Sequence, residues 1–274
     1  MGMLQKNHGK NMKLVRLLAL PALAALAVIG MSQKSRAALV ASDNAGNSPY
    51  VVGNSFGGQN GGSGFGAWSV TNTSSGGNFI SSANWSSITP WFDIYNTSAN
   101  PNGSQTTASR SLNNALSNGE TLSFDLVLNS AQTNASVGFY LADSSNNALF
   151  TYYQEGNSST DGYAVDTNGT TAGIGVSYNY QSVDRIAFTL TSATTYDFSV
   201  NNVLAHSGTI SDSTGGIAQL NFFDNGGGAS SDVQFTDLSI ASAVPLPASF
   251  GLVLIGGLGL VAMALSRRRS SVRA

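Results

Sequence analysis

The run Glu120 to Asn129, ETLSFDLVLN, sets Leu122, Phe124, Leu126 and Leu128 two residues apart, with Thr121, Ser123 and Asp125 among them. Side chains on an extended chain alternate sides, so this spacing buries one face and wets the other. On a helix the same residues would scatter around the axis. The period returns at Val137, Phe139 and Leu141, at Ile186, Phe188 and Leu190, and at Tyr196, Phe198 and Val200. Turn-forming clusters punctuate the chain: Asn118-Gly119, Ser144 to Asn147, Asn168-Gly169, Asn201-Asn202 and Asp224 to Gly228. Between residues 38 and 243 no stretch shows helical periodicity with caps. The expectation is an all-β chain, folded as a single antiparallel sandwich or jelly roll. Its 206 residues suit one domain.

Val233, Phe235, Leu238 and Ile240 change parity between Phe235 and Leu238. One inserted residue reverses the alternation, so a β-bulge at Thr236-Asp237 would return all four to the core side. Gly46 to Gly103 is less regular and rich in Gly, Asn and Ser. It still carries Trp68, Phe79, Trp85, Trp91 and Phe92, too much aromatic surface to leave in water. This stretch is expected to supply the opening strands of the same sandwich.

Charge divides the chain in three. Ten of the twelve basic residues lie at the ends: Lys6, Lys10, Lys13, Arg16, Lys34, Arg36, Arg267, Arg268, Arg269 and Arg273. All fourteen acids lie between Asp43 and Asp237, with only Arg110 and Arg185 beside them, a net of −12 for residues 38–243. A domain with no Lys and two Arg cannot build a basic surface for nucleic acid. With no Cys in the chain, disulfides, thiolate metal sites and a cysteine nucleophile are excluded. His206 is the only histidine after the leader, which removes multi-histidine metal sites.

The N-terminal basic residues precede the apolar run Leu17 to Met31, and Ser35-Arg36-Ala37 sets small residues before a cut between Ala37 and Ala38. This is the layout of a secretory signal peptide over 1–37. A retained anchor is disfavoured, because fifteen apolar residues are short for a span of about 20. At the other end, Val244-Pro245-Leu246-Pro247-Ala248 leads, within a linker of 244–249, into the apolar run Phe250 to Leu265. The basic tail 266–274 follows and carries Arg267, Arg268 and Arg269. A transmembrane helix over 250–265 with Arg only behind it places the tail in the cytoplasm and the acidic domain outside.

Motif, span and basic cluster in that order resemble a PEP-CTERM sorting signal over Val244 to about Arg269. Leu246 stands where the commonest form has Glu, which marks the VPLPA variant. The resemblance implies cleavage by an exosortase, a membrane cysteine protease-transpeptidase, after passage through the secretion machinery. It implies a Gram-negative host that exports polysaccharide. It also implies a chain held at the inner membrane in transit by its C-terminal helix, then delivered to the cell surface or extracellular matrix. Between about 56 and 240 the pattern resembles uncharacterised domains that precede such signals and, distantly, concanavalin-like lectin and glucanase sandwiches. The stretch YDFSVNNVLAHSG at 196–208 carries that likeness most clearly. The likeness extends to architecture and not to a site.

A glycosidase needs two carboxylates flanking the bond. Glu occurs in the domain only at 120 and 155, and the Glu-x-Asp-x-x-Glu pattern of laminarinase-like sandwiches is missing. The expectation is therefore a protein that is not an enzyme, structural, adhesive or polysaccharide-associated. A glycoside hydrolase and an inert coat protein are the alternatives. Sugar contacts would come from aromatic faces, for which Trp85, Trp91, Tyr152, Tyr153, Tyr178 and Tyr180 are candidates. For the tryptophans a role as core fillers is expected ahead of one as contacts. Tyr152 and Tyr153 must point to opposite faces of a strand. No cofactor is expected; calcium is the one ion with ligand types at hand, in turns at Asp224 and Asp161. His206 is expected at the surface. Arg110 and Arg185 are expected to pair with acids, Arg185 beside Asp184 in a sheet-edge or structural pair.

Overall fold

Leu122, Phe124 and Leu126 point into the centre of a two-sheet sandwich, each at most 1% exposed. The computed structural model describes residues 37–73, 75–82, 90–97, 104–129, 135–156, 162–177, 182–211, 215–226 and 232–243. The signal segment, sorting motif, transmembrane run and basic tail expected at the two ends lie outside these, apart from Ala37, as do Trp85, Asp161, Tyr178 and Tyr180. Among the described residues no helix is long and apolar enough to cross a membrane. Residues Ala37–Ala243 form one compact unit.

The strands are β1 (Ala38–Asp43), β2 (Ser69–Asn72), β3 (Gly76–Ser81), β4 (Trp91–Asn96), β5 (Gln105–Ser111), β6 (Glu120–Leu128), β7 (Ser136–Ala142) and β8 (Ala148–Glu155), followed by β9 (Gly162–Thr167), β10 (Thr170–Ser177), β11 (Asp184–Leu190), β12 (Thr195–Val200), β13 (Val203–Thr209), β14 (Gln219–Asn225) and β15 (Asp232–Ser242). One sheet runs β13-β12-β11-β6-β15-β4-β3, with β1 also paired to β15; the other runs β10-β9-β8-β7-β14-β5-β2. Every pairing between them is antiparallel, including the long-range partners β6 with β15 and β5 with β14. The core closes where the two sheets meet. Phe222 of β14 stacks on Phe235 of β15 with centroids 3.7 Å apart, and Phe124 meets Phe139 edge-on at 4.9 Å. Burying each such ring contributes roughly 1.5–3 kcal/mol.

Local chemistry sets the turns. Asn168 and Gly169 have φ of 56° and 71°, and Asn201 and Asn202 have 53° and 63°. Positive φ at both central residues of a two-residue loop matches the right-handed twist of hairpin strands, and these loops join β9 to β10 and β12 to β13. The bulge expected in the last strand is present. Thr236 pairs with Asp125 and Ser239 with Ser123, three residues of advance against two, and Asp237 takes φ 52°. Val233, Phe235, Leu238 and Ile240 are all buried.

Of the stretch expected to supply opening strands, β2, β3 and β4 are strands, while residues 44–68 between β1 and β2 run as a loop that buries Tyr50, Phe56, Phe65 and Trp68. Its Phe56 packs at 5.1 Å from Phe92 and Tyr50 at 4.8 Å. The loop is held by Arg110, whose guanidinium has no exposed surface. It donates to Asp43 and Asn60, and its Nε donates to the Gly66 carbonyl at 2.9 Å. The Phe65 and Trp68 rings lie 4.8 and 4.9 Å from its central carbon. Tyr50 donates its hydroxyl proton to the same Asp43 carboxylate at 2.7 Å. Burial, first, and that carboxylate push its hydroxyl up to about 12.

Arg185 pairs with Asp125 at 2.9 Å, not with its neighbour Asp184. Its strand β11 lies between β12 and β6, so it is not at an edge. Arg185 and Asp125 sit directly opposite across that pairing and on one face, whereas adjacent residues of a strand point apart. Asp184 accepts from Asn201 at 2.8 Å instead.

Candidate functional site

The outward face of the seven-stranded sheet gathers hydroxyls, amides and aromatic rings. Alternation sends Val137, Phe139 and Leu141 of β7 and Leu220 and Phe222 of β14 into the core. It therefore turns Tyr140, Asn221 and Phe223 the other way. Register then sets Tyr140, Asn221, Ser109 and Ser69 side by side across β7, β14, β5 and β2. The next row holds Tyr153, Gly138, Phe223, Thr107 and Thr71. Gly138 is required between its neighbours: a Cβ there would meet the Tyr152 carbonyl oxygen at 2.1 Å.

Beside these rows lies a depression of about 350 Å³, walled by Ser69, Ser109, Ser111, Asn146, Gln219 and parts of Ala67 and Arg110. Two local devices shape its rim. Arg110 holds the Gly66 carbonyl next to Ala67. The turn after β7 is closed by Asp143, whose carboxylate accepts from the backbone N–H of Ser145 and Asn147 at 2.8 and 2.9 Å and from the Asn147 amide at 2.9 Å. These hydrogen bonds hold its carboxyl below the usual carboxylate range. The turn carries Asn146, with φ 64°, whose side-chain oxygen accepts from the Tyr140 hydroxyl at 3.3 Å. Gln219 donates to the Ser144 carbonyl at 3.3 Å.

Asn221 is the unusual member. Its side chain is 0% exposed, and neither its amide nitrogen nor its oxygen has a hydrogen-bond partner. Buried amides in folded chains are nearly always paired.

The aromatic residues singled out from sequence divide between buried and outward positions. Trp91 and Tyr152 are both 0% exposed. A ring with no open face cannot stack on a sugar, so neither serves as a contact. Tyr152 belongs to the core, 5.5 Å from Phe139, while Tyr153, on the opposite face, is half-buried. Asp224 lies within β14 rather than in a turn and is 0% exposed on the core-facing side; the strand continues through Asn225, which pairs with Gln105 and Ser136. Among the described residues no three His, Asp or Glu gather as metal ligands would. His206 is half-buried, its Nδ1 3.0 Å from the Tyr196 hydroxyl.

Glu120 accepts from the Ser117 N–H at 2.8 Å in its turn, and Glu155 ends β8 in the other sheet. Two other acids share the outward face of the eight-stranded sheet. Asp93 pairs in register with Gln234, and Asp232 with Tyr95, so the acids are diagonal neighbours across β4 and β15. Burial, reinforced by Asp232, pushes Asp93 up to about 8, and burial raises Asp232 as well. Asp93 is 2% exposed and accepts from the Gln234 amide at 2.6 Å.

The residues of the depression were not singled out from sequence. The alternation of QLNFFDN does turn Asn221 and Phe223 outward, but partners some 80 and 110 residues away are set by sheet order alone.

No protein-family model matches the chain, and no curated protein matches it. Solved structures align with parts of the chain at low identity and with TM-scores below 0.5. A sialidase aligns at 10% identity and TM-score 0.49 over 64% of this chain, which spans 17% of the sialidase's length. A cellulose-induced protein, Cip1, aligns at 14% identity and TM-score 0.47 over 64% of this chain and 91% of its own. The galectin LEC-6 of Caenorhabditis elegans aligns at 12% identity and TM-score 0.36 over 46% of this chain and 85% of its own.

Proposed function

We propose that this chain is an exported cell-surface or extracellular-matrix protein, sorted by an exosortase. In this reading its acidic sandwich, of jelly-roll and concanavalin-like type, associates with polysaccharide without acting on it. The observation that carries the polysaccharide half is the outward face of the seven-stranded sheet. There, Ser69, Ser109, Ser111, Asn146 and Gln219 wall an open depression beside rows of Thr and Tyr side chains. Hydroxyl and amide groups match sugar hydroxyls as both donors and acceptors, and aromatic faces cover the C–H faces of sugar rings. The export half rests on the signal-like start, the Val244 to Ala248 motif, and the apolar run and arginines behind it. The non-catalytic reading is supported by the separation of Glu120 and Glu155 on different sheets and by the enclosure of Asp93.

The test is a glycan array probed with the full-length chain in a detergent without a sugar headgroup, with and without calcium. The reaction products are also assayed for new reducing ends. Binding without cleavage is expected. A blank array with intact, folded protein would leave the inert coat reading in its place, and released reducing ends would make the chain an enzyme.

A further inference from the structure

We propose that the depression walled by Ser69, Ser109 and Gln219 selects neutral polysaccharide, with the buried amide of Asn221, which adjoins that wall at Ser109 and Gln219, as the specificity-determining group; this rests on the polysaccharide-associated reading above. Asn221 faces outward from the middle of its sheet, yet it is wholly covered and unpartnered. Leaving such a group unpaired costs about 1–3 kcal/mol. Leu has nearly the same volume and would occupy the position without that cost. The amide is accounted for by a hydroxyl-bearing ligand that bonds to it.

Its surroundings have the right chemistry for such a ligand. Ser109 pairs with Asn221 across β5, Ser69 lies beyond on β2, and Gln219 stands two residues along the same strand. Each of these groups is neutral and both donates and accepts.

Charge decides the class. The one cation at the wall is Arg110, whose guanidinium is enclosed and committed to Asp43, Asn60 and Gly66. No free cation there offsets the charge of a carboxylate or a sulfate. Residues 38–243 carry a net of −12, and Asp166 and Glu155 stand on the same outward face through their pairing with Thr151 and Ser136. An anionic polymer meets repulsion with no compensating contact. A neutral sugar loses nothing on that account and gains the face of the half-buried Tyr140, whose ring is backed by Phe223 at 6.2 Å.

Access requires one side chain to move. Tyr140 is half-buried, opposite Asn221, and tethered at its tip by the single 3.3 Å bond to Asn146 in an exposed turn. A rotamer change of a partly exposed tyrosine is fast, and in this proposal it opens Asn221 toward the depression while leaving the ring free to lie on the sugar.

The full-length chain is run through gels containing a neutral glucan, a neutral galactomannan or alginate, and the retardation is compared for wild type, Asn221→Leu, Ser109→Ala and Ser207→Ala. Ser207 sits on the other sheet, bonded to Asp197. Retardation by a neutral polymer and not by alginate is expected. Asn221→Leu and Ser109→Ala should each weaken it about tenfold, the scale of one lost hydrogen-bonded group, with Ser207→Ala unchanged. The Tm of Asn221→Leu should equal or exceed that of wild type. A structural amide would lower Tm on removal, and that result overturns the proposal. Equal retardation of wild type and both site variants by the neutral polymer also overturns it, while leaving the polysaccharide reading intact. Preference for alginate overturns the neutral class. No retardation by any polymer overturns both.

Discussion

Arg110 and Asp43 stand 67 residues apart in the chain and meet with no exposed side-chain surface. Breaking a buried pair leaves an uncompensated charge, so Asp43→Ala should cost about 3–5 kcal/mol. Urea unfolding would read this as a lower midpoint at constant slope. The double variant Asp43→Leu/Arg110→Met, which removes both charges, should cost less than the single one. A larger loss in the double variant would show that the pair is not what the site needs. Asp93 presents the opposite case, an acid held neutral. Its carboxyl ordinarily titrates at 3.8 but is raised to about 8 in the fold, mainly by burial and then by Asp232. Between those values the unfolded chain has released the proton that the folded chain keeps. Stability therefore falls as pH rises from about 4 to about 8 and levels off above. Asp93→Asn keeps an acceptor for Gln234 and cannot ionise. It should raise Tm at pH 7 and flatten the profile across that window; an unchanged slope would place the pH dependence elsewhere.

Among the elements, β15 decides most. Its first residues pair with β4, its last with β1, and nearly all of it with β6. The bulge at Asp237 lets one strand serve these partners while Phe235 and Leu238 both remain in the core. Asp237 occupies the left-handed region at φ 52° and accepts from the Asn44 amide. Non-glycine residues pay about 1–2 kcal/mol there, and a β-branched one pays most. Asp237→Val should therefore lower stability by more than 1 kcal/mol, whereas Asp237→Gly should stay within about 1 kcal/mol of wild type, with the lost Asn44 bond offset by relief of strain. Thermal melts of the two variants decide this. If they were equally destabilised, the positive φ would not be the operative constraint.

For the whole molecule, the two ends of the sandwich emerge together. Ala38 pairs with Ser242, so the start of β1 and the end of β15 are antiparallel neighbours. A signal-peptide cut before Ala38 leaves β1 complete, whereas a cut after Asp43 would remove the carboxylate that Arg110 requires. The exosortase reading makes its own demand at this scale. A chain ending at Ala243 keeps every described strand and should be exported and folded but released into the medium, with its Tm unaltered. Retention of that truncated chain at the cell surface, seen by fractionation and immunoblot, would end the sorting claim.

The positions and inward residues of β6, β7, β11 and β12 and the bulge in β15 were legible in the sequence because they follow from local alternation, whereas Asp224, read as a turn, lies in β14. A period of two and a single parity reversal can be read without knowing any partner, as ETLSFDLVLN and Val233 to Ile240 illustrate. The partition of charge was legible for the same reason. The candidate site was not. Asn221 becomes conspicuous only when β5 and β7 close over either side of β14. Tyr140, Ser109 and Asn146 join it from segments whose order in the sheet no local pattern encodes. The same holds for Arg110, whose acid partner and aromatic walls come from the far side of a loop. Alternation states which way a side chain points. Only the packing of the sheets and the loop between β1 and β2 decides what it meets there, because burial depends on neighbours distant in the chain.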